Sequence, residues 1–502
     1  MPLSRSDVLA WRQCPKRLWL ELHRPELRDW GGVDRTGRPW RAALENASSG
    51  REVFEVARRL YDPDGRGTVI DGAGAGVEEA VRRSAEALAS GEGPVFGAGV
   101  TADGVVVFID AMLPTGAPGS RGWRMIEVKA TAGVKAWHHD DLAIRAWVAR
   151  KAGWPIGSVA VAHLDTPFVY EGDGNYQGLF REVDLTGETE SREVEVEEWV
   201  AGARSVAERS EAPDVVPGPQ CLDPFACPFT AHCARGHPGP DYPLSSLPDF
   251  SGHRKETVEA FGIQDLREVP NEFLTPLQRR VRDVMITGEP WFDREGAAAV
   301  LASYGFPAWF LDFETVMQPV PVWKGTSPFE PIPFQFSLHR VEADGTVSHE
   351  AFLDLSGADP SRPLAEALVE RTGTTGPVFV YNAKFERRIV QQLAGQFPDL
   401  AAALKALADR IVDLLPVARD HFYDPSQHGT WSLKVVLPAV CPELSYDSLN
   451  GVADGAMALD AYREAVAPGT APERKAELER QLLAYCELDT LAMVRLWERF
   501  RG

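Results

Sequence analysis

Apolar and polar positions in this chain follow two periods, and the switches between them mark out its elements. Val105-Val106-Val107-Phe108-Ile109-Asp110 is a continuous apolar run closed by an acid, which predicts a strand ending at Asp110. After a Pro/Gly-rich turn, Pro114 to Gly122, a second strand reads Met125-Ile126-Glu127-Val128-Lys129. Side chains alternate along a strand, so Glu127 and Lys129 share a face and Ile126 and Val128 take the other. The same alternation in Trp309-Phe310-Leu311-Asp312-Phe313-Glu314-Thr315 puts Asp312 and Glu314 on one face, opposite Leu311, Phe313 and Thr315. Phe334 to His339 predicts a strand beside it. Val378 to Tyr381 and Arg410 to Leu414 are further short strands, the last carrying Asp413.

Helical periodicity appears at 361–371, 384–395 and 457–465. Asn382 stands where an N-cap belongs, and Glu386 then falls about one turn into the following helix. In the helical stretch Leu482 to Thr490, Tyr485 and Asp489 are i and i+4 and stack on one face. Alternating strands and helices predict an α/β sheet in this half. The opening, Ser4 to Leu20, reads as a capped helix followed by a second helical turn. Residues 171–219 alternate loop with an acidic helix, whose Glu195, Glu197 and Glu198 belong on a solvated face.

A chain of 502 residues is too long for one core. A Pro/Gly-rich boundary at Pro238 to Pro248 divides it into an N-terminal domain at 1–238, a small helical linker region at 239–297 and a C-terminal domain at 298–502. The linker region carries a basic cluster, Arg279, Arg280 and Arg282, which reads equally as a phosphate grip or as a helical face. Hydrophobic residues make up 44% and charged residues 25%, ordinary for a soluble globular chain. No apolar run approaches the roughly 18 residues of a membrane span. The N-terminus lacks a signal-peptide core, so a cytoplasmic location is expected. A net charge of −21 excludes binding nucleic acid through a diffuse basic surface, but not through a local basic channel.

The candidate chemistry lies in acids and thiols. Two residues of strand advance about 6–7 Å, so Asp312 and Glu314 can hold a pair of divalent metals about 4 Å apart, the geometry of in-line phosphoryl displacement. Among six cysteines, Cys221, Cys227 and Cys233 fall within thirteen residues, while Cys14 stands alone near the start. Their spacing is not the C-x-x-C of a zinc knuckle. Cys441 and Cys486 read as core fillers.

Three segments, Asp312-x-Glu314, Tyr381-Asn382-x-x-Phe385-Glu386 and Tyr485-x-x-x-Asp489, resemble the motifs of DnaQ-type exonucleases in their DEDDy branch. The resemblance implies an RNase H-like domain in which Asp312, Glu314, Glu386 and Asp489 bind two Mg²⁺ or Mn²⁺ ions. Tyr485 would orient or help deprotonate a water attacking the 3′ end of a strand. Most relatives carry Asp where this chain has Glu386. Asp413 reads either as a further ligand or as an acid supporting the ligands.

Asp110, Glu127 and Lys129 resemble the PD-(D/E)XK core of RecB-like nucleases, which implies a restriction-endonuclease-like domain. There Asp110 and Glu127 would bind metal and Lys129 would help activate water. Cys14, Cys221, Cys227 and Cys233 are similar to the iron–sulfur staple of those enzymes and would hold a [4Fe–4S] cluster. A zinc site on the same thiols, with His232 or His237, is the alternative. The usual His of an upstream helix is replaced by Phe54, with Glu52 or Glu55 nearby. Where a Gln is common after the motif, this chain offers Arg145.

The whole chain thus resembles a bacterial family joining a RecB-like nuclease to a DnaQ-like 3′-5′ exonuclease. The expected partner is nucleic acid, DNA before RNA, and no membrane; a helicase or a defence or repair partner is left open. Two alternatives stand beside this reading. Only one site is active and the N-terminal half is an iron–sulfur nucleic-acid-binding module, or the protein is a non-catalytic nucleic-acid sensor or scaffold.

Overall fold

The computed structural model describes residues 2–29, 42–116, 122–446 and 449–502. The chain is a mixed α/β protein that packs as two units. The first comprises Met1–Pro238 with Gln318–Glu330, the second Gly239–Met317 with Pro331–Gly502. No helix of the described residues is long and apolar enough to cross a membrane.

The first unit is built on one sheet. Its strands are β1 (Leu3–Ser4), β2 (Thr68–Val69), β3 (Val95–Ala102), β4 (Val105–Thr115), β5 (Gly122–Lys129), β6 (Ile156–Leu164) and β7 (Phe180–Asp184). The order is β2-β3-β4-β5-β6-β7, with β1 alongside β4. β4 does not end at Asp110. Ala111 to Thr115 pair antiparallel with Gly122 to Ile126 of β5, which carries the strand five residues further and leaves Asp110 in its interior. Of the Pro/Gly-rich turn, residues 117–121 lie outside the described residues. Ser4 caps the first helix, Arg5–Gln13, in a capping box with Asp7, as its sequence predicts.

The helix Ala136–Lys151 packs on this sheet and is buried on every side from Asp141 to Ala149. Its apolar residues Leu142, Ala143, Trp147 and Val148 join Ile109, Met112, Met125, Val159 and Val161 in the core. Two polar positions, Asp141 and Arg145, are carried into the interior with them. A charge taken there is costly unless paired, so the helix commits those two residues to partners on β5.

The second unit holds a short ribbon, β8 (Trp291–Phe292) with β14 (Phe422–Tyr423), and a five-stranded sheet. The sheet contains β9 (Ala308–Met317), β10 (Pro331–Val341), β11 (Val347–Leu353), β12 (Val378–Val380) and β13 (Ile411–Asp413), in the order β11-β10-β9-β12-β13. β9, β10 and β11 are antiparallel, while β9, β12 and β13 run parallel. β10 does lie against β9, with Ser337 opposite Asp312 and Gln335 opposite Glu314. Trp309, Leu311 and Phe313 pack with apolar residues of the helices Ser361–Arg371, Lys384–Gln396 and Ala401–Asp409. On the other face Phe310 meets Trp497 of the long helix Pro472–Arg501 edge-on, with ring centroids 5.6 Å apart. Asp312 and Glu314 share that face with Phe310, so the register of β9 turns both acids toward this helix.

In the helical region before β9, Thr275 caps Pro276–Thr287 through a capping box. The basic cluster there bonds largely to the protein itself. Arg280 donates to the carbonyls of Arg419 and Asp420 and stacks over Trp291 at 4.0 Å. Arg279 and Arg282 donate to the carbonyls of Leu274 and Val269.

Candidate functional site

The acids of the second unit arrive from three elements. β9 delivers Asp312 and Glu314, the start of helix Lys384–Gln396 delivers Glu386, and helix Pro472–Arg501 delivers Tyr485 and Asp489. Glu386, Tyr485 and Asp489 are each less than 10% exposed. Ligand atoms of Asp312, Glu314 and Cys486 lie within 4.8 Å of one another.

Burial pushes the Asp312 carboxyl well above its ordinary value, and the charges of Asp489, Glu314 and Glu386 push it further. Glu314 is driven up to about 8 by burial and by Asp489, against the pull of Lys434. Glu386 is driven up to about 8, chiefly by burial. Its Oε2 is buried with no hydrogen-bond partner among the described residues. A concentration of buried acids with so few cations facing it is a poor ion-pair network. It is a good donor set for a hard divalent cation, which takes carboxylate oxygens and offsets their repulsion.

How Glu386 is held differs from the sequence expectation. Asn382 is not the N-cap. It adopts a left-handed backbone, φ 72°, and Ala383 occupies the cap position without a side-chain bond. Asp413, from the end of β13, holds the turn that leads into the helix. Its carboxylate accepts from the backbone N–H of Asn382 at 2.9 Å, Ala383 at 3.0 Å and Leu415 at 2.9 Å. Two of these bonds hold the turn that leads into the helix bearing Glu386, and the third holds the start of the helix after β13.

Beyond the motif residues, Tyr446 is one that the sequence pattern does not single out, while Lys434 belongs to Ser432-Leu433-Lys434, whose sequence predicts a helix start near the site. Tyr446 donates to Asp489 Oδ1 at 2.6 Å. Lys434, near the start of the helix Leu433–Val440, donates to Tyr485 Oη at 3.0 Å and to the Ala453 carbonyl at 2.9 Å. Lysine has no acceptor capacity, so the Tyr485 hydroxyl keeps its own proton, which it directs at the Asp489 carboxylate. Cys486, expected as core filler, is fully buried, but its Sγ lies 3.9 Å from Asp312 Oδ2. Burial and the neighbouring acids push that thiol well up, so it stays protonated. Tyr446 lies 43 residues before Asp489, and no short-range pattern marks it.

The first unit also assembles its predicted residues. Lys129 Nζ reaches Glu127 at 2.8 Å and Asp141 at 2.6 Å. Arg145 spans the same two acids, at 2.8 and 2.9 Å, and Arg5 adds a further contact to Asp141 at 2.9 Å. Asp110 accepts from the backbone N–H of Val128 at 2.8 Å. It is raised to about 7 by burial and by Glu127, with Arg145 and Lys129 acting against the rise. Burial alone would raise Asp141, but Arg145, Lys129 and Arg5 hold it well below its ordinary value. Three acids thus face three cations, leaving Glu127 Oε2 buried without a hydrogen-bond partner among the described residues. Glu55, on the upstream helix, pairs with Arg58 at 2.9 Å.

Cys14, Cys221, Cys227 and Cys233 line one cavity with Leu20 and Phe229, and none is in a disulfide. Burial pushes the Cys227 thiol up to about 11. Among the described residues no three of these sulfurs lie within 4.8 Å of one another.

Residues 309–432 match a family described as a domain of unknown function (DUF2779). The matched stretch contains Asp312, Glu314, Glu386 and Asp413 and stops before Tyr446, Tyr485 and Asp489. No curated protein matches the chain.

Proposed function

We propose that the second unit is a metal-dependent nuclease that removes nucleotides from the 3′ end of a nucleic-acid strand, DNA being the expected substrate. The observation that carries this reading is the convergence of Asp312, Glu314, Glu386 and Asp489 from three separated segments into one acidic centre. The strand order, an antiparallel trio continued by two parallel strands with the paired acids on the middle strand, supports the RNase H-like comparison.

Asp312, Glu314, Glu386 and Asp489 would hold the ions. When bound, Mg²⁺ or Mn²⁺ would supply a lowered water pKa and charge stabilisation at the phosphate. The protein's own part is positional. Tyr446 fixes Asp489, Asp413 fixes the loop that presents Glu386, and Lys434 orients the Tyr485 hydroxyl. Tyr485, held between Lys434 and Asp489, would orient the attacking water. Chemistry of this kind is mostly orientation and electrostatics, so small displacements are expensive.

For the first unit two readings compete. Asp110 and Glu127 can offer oxygens to one metal, with Lys129 beside them, as a RecB-like nuclease requires. The closed ion-pair network of Lys129 and Arg145 with Glu127 and Asp141 favours the second reading, a nucleic-acid-binding module whose catalytic position is filled by its own side chains. The four cysteines would hold the [4Fe–4S] cluster. Tetrahedral zinc with Zn–S bonds of about 2.3 Å needs sulfurs about 3.8 Å apart. Zinc on the same four thiols is the competing occupant.

Product analysis on 5′- and 3′-end-labelled DNA and RNA tests both units. Asp312→Ala should abolish Mg²⁺- or Mn²⁺-dependent shortening of 3′ ends. If Asp312→Ala retains it while Lys129→Ala loses it, the activity belongs to the first unit and the proposal fails.

A further inference from the structure

A second group of metal-competent side chains lies on the same face of the sheet, where β10 and β11 meet helix Pro472–Arg501. His339 and His349 are directly cross-strand partners, with ring centroids 4.5 Å apart. Glu487 approaches from the helix, its Oε1 3.7 Å from His349 Nδ1. Ligand atoms of all three fall within 4.8 Å of one another.

What distinguishes this group from a chance pair of histidines is how the opposite ring nitrogens are held. His349 Nε2 lies 2.9 Å from Ser337 Oγ, and His339 Nδ1 lies 2.8 Å from Thr490 Oγ1. The two hydroxyls are 2.6 Å apart, and Thr490 Oγ1 is 3.1 Å from the Glu487 carbonyl. One proton assignment satisfies these four contacts, with the Cys486 carbonyl standing farther off, 3.4 Å from Thr490 Oγ1. Thr490 donates to the Glu487 carbonyl, Ser337 donates to Thr490, and each imidazole donates its N–H to the hydroxyl beside it. Each hydroxyl then gives one bond and accepts no more than two. Both rings are thereby fixed in tautomers that present a lone pair, on His339 Nε2 and His349 Nδ1. A metal-bound histidine is ordinarily oriented in this way through its other nitrogen.

We propose that His339, His349 and Glu487 form a further cation site, distinct from the acidic centre, that takes zinc or a similar first-row divalent ion. Two imidazoles and one carboxylate are a donor set for such a metal, with a fourth position left for water. Metal bonds of about 2.0–2.2 Å in a tetrahedron set ligand atoms about 3.4 Å apart, close to the separation already present between His349 and Glu487. The ion has a way in, because the side chains of His349 and Glu487 are 24% and 49% exposed. The nearby Arg495 guanidinium is engaged with Glu498 at 2.8 Å. Occupancy would pin β10 and β11 to the helix that carries Tyr485 and Asp489, stiffening one wall of the acidic centre without entering it.

Co²⁺ is a suitable probe, titrated into chelator-treated full-length protein with excess Mg²⁺ present. Cobalt on thiolates absorbs strongly in the near ultraviolet, whereas cobalt on nitrogen and oxygen shows only weak visible bands, so the cysteine site is separable. Wild type should bind one cobalt per chain with the weak visible signature. His349→Ala and Glu487→Gln should lose it, and Thr490→Val should bind roughly 10–100-fold more weakly. Zinc should raise the melting temperature of wild type and leave that of Glu487→Gln unmoved. An equal visible signal in wild type and both ligand variants, or none in wild type, overturns the proposal. Circular dichroism and unchanged iron content confirm that the variants are folded. The acidic centre is unaffected by either outcome.

Discussion

Glu386 offers a measurement of how much folding stability the acidic centre costs while no cation occupies it. In the folded chain its carboxyl is raised from 4.5 to about 8, mainly by burial. Because the folded value lies above the unfolded one, the protonated acid favours folding. That advantage is fully present below about pH 4.5 and is lost as pH rises through about 8. Between pH 6 and pH 8 the unfolded chain is ionised throughout, and the folded chain is forced from nearly neutral to half ionised. At about 1.36 kcal/mol per unit, the loss over that interval is about 2 kcal/mol. Glu386→Gln does not titrate and escapes the loss. In EDTA, wild type should therefore lose about 2 kcal/mol more than Glu386→Gln between these two pH values, or roughly 4–8 °C in the melting of a unit this size. Calorimetry of the two proteins at pH 6 and pH 8 reads this difference, because other titrating groups are common to both. Saturating Mg²⁺ should restore wild type at pH 8 and leave the variant little changed, with proton release on binding to wild type. Parallel stability curves for the two proteins in EDTA would falsify the claim that Glu386 is held protonated by its surroundings.

Asp413→Ala removes the acceptor of three backbone N–H groups and should cost about 2–4 kcal/mol by urea unfolding, with weaker Mn²⁺ binding because Glu386 loses its support. Tyr446→Phe deletes the bond to Asp489 without changing shape. It should lower metal affinity or nuclease rate by about 10–100-fold while leaving the fold intact by circular dichroism. Lys129→Met leaves Glu127 and Asp141 short of a cation in the interior and should destabilise the first unit by about 3–5 kcal/mol in chemical denaturation. Cys221→Ser should bleach the broad absorbance near 400 nm expected of a thiolate-bound cluster and lower iron content; colourless wild-type protein with stoichiometric zinc would sink the cluster assignment.

Much of this architecture is legible in local pattern. The two-residue alternation of β9 set Asp312 and Glu314 on one face, and the i, i+4 spacing of Tyr485 and Asp489 set them on one side of a helix, because both periods follow from backbone geometry alone. What the pattern could not carry was any partner supplied from far along the chain. Asn382 looks like a cap because its side chain suits one, yet its own backbone N–H and that of Ala383 are held by Asp413 of a neighbouring strand. Asp110 looked like a strand end, but pairing with β5 extended the strand past it. Asp141 and Arg145 looked like ordinary polar positions of a helix, and burial on every side turned them into obligatory partners of Glu127 and Lys129. Tyr446 and the His339–His349–Glu487 group have no signature in sequence, since only the packing of strand against helix brings them together. Local periodicity fixes which way a side chain points; what it meets there is decided by segments too distant in sequence to leave a pattern.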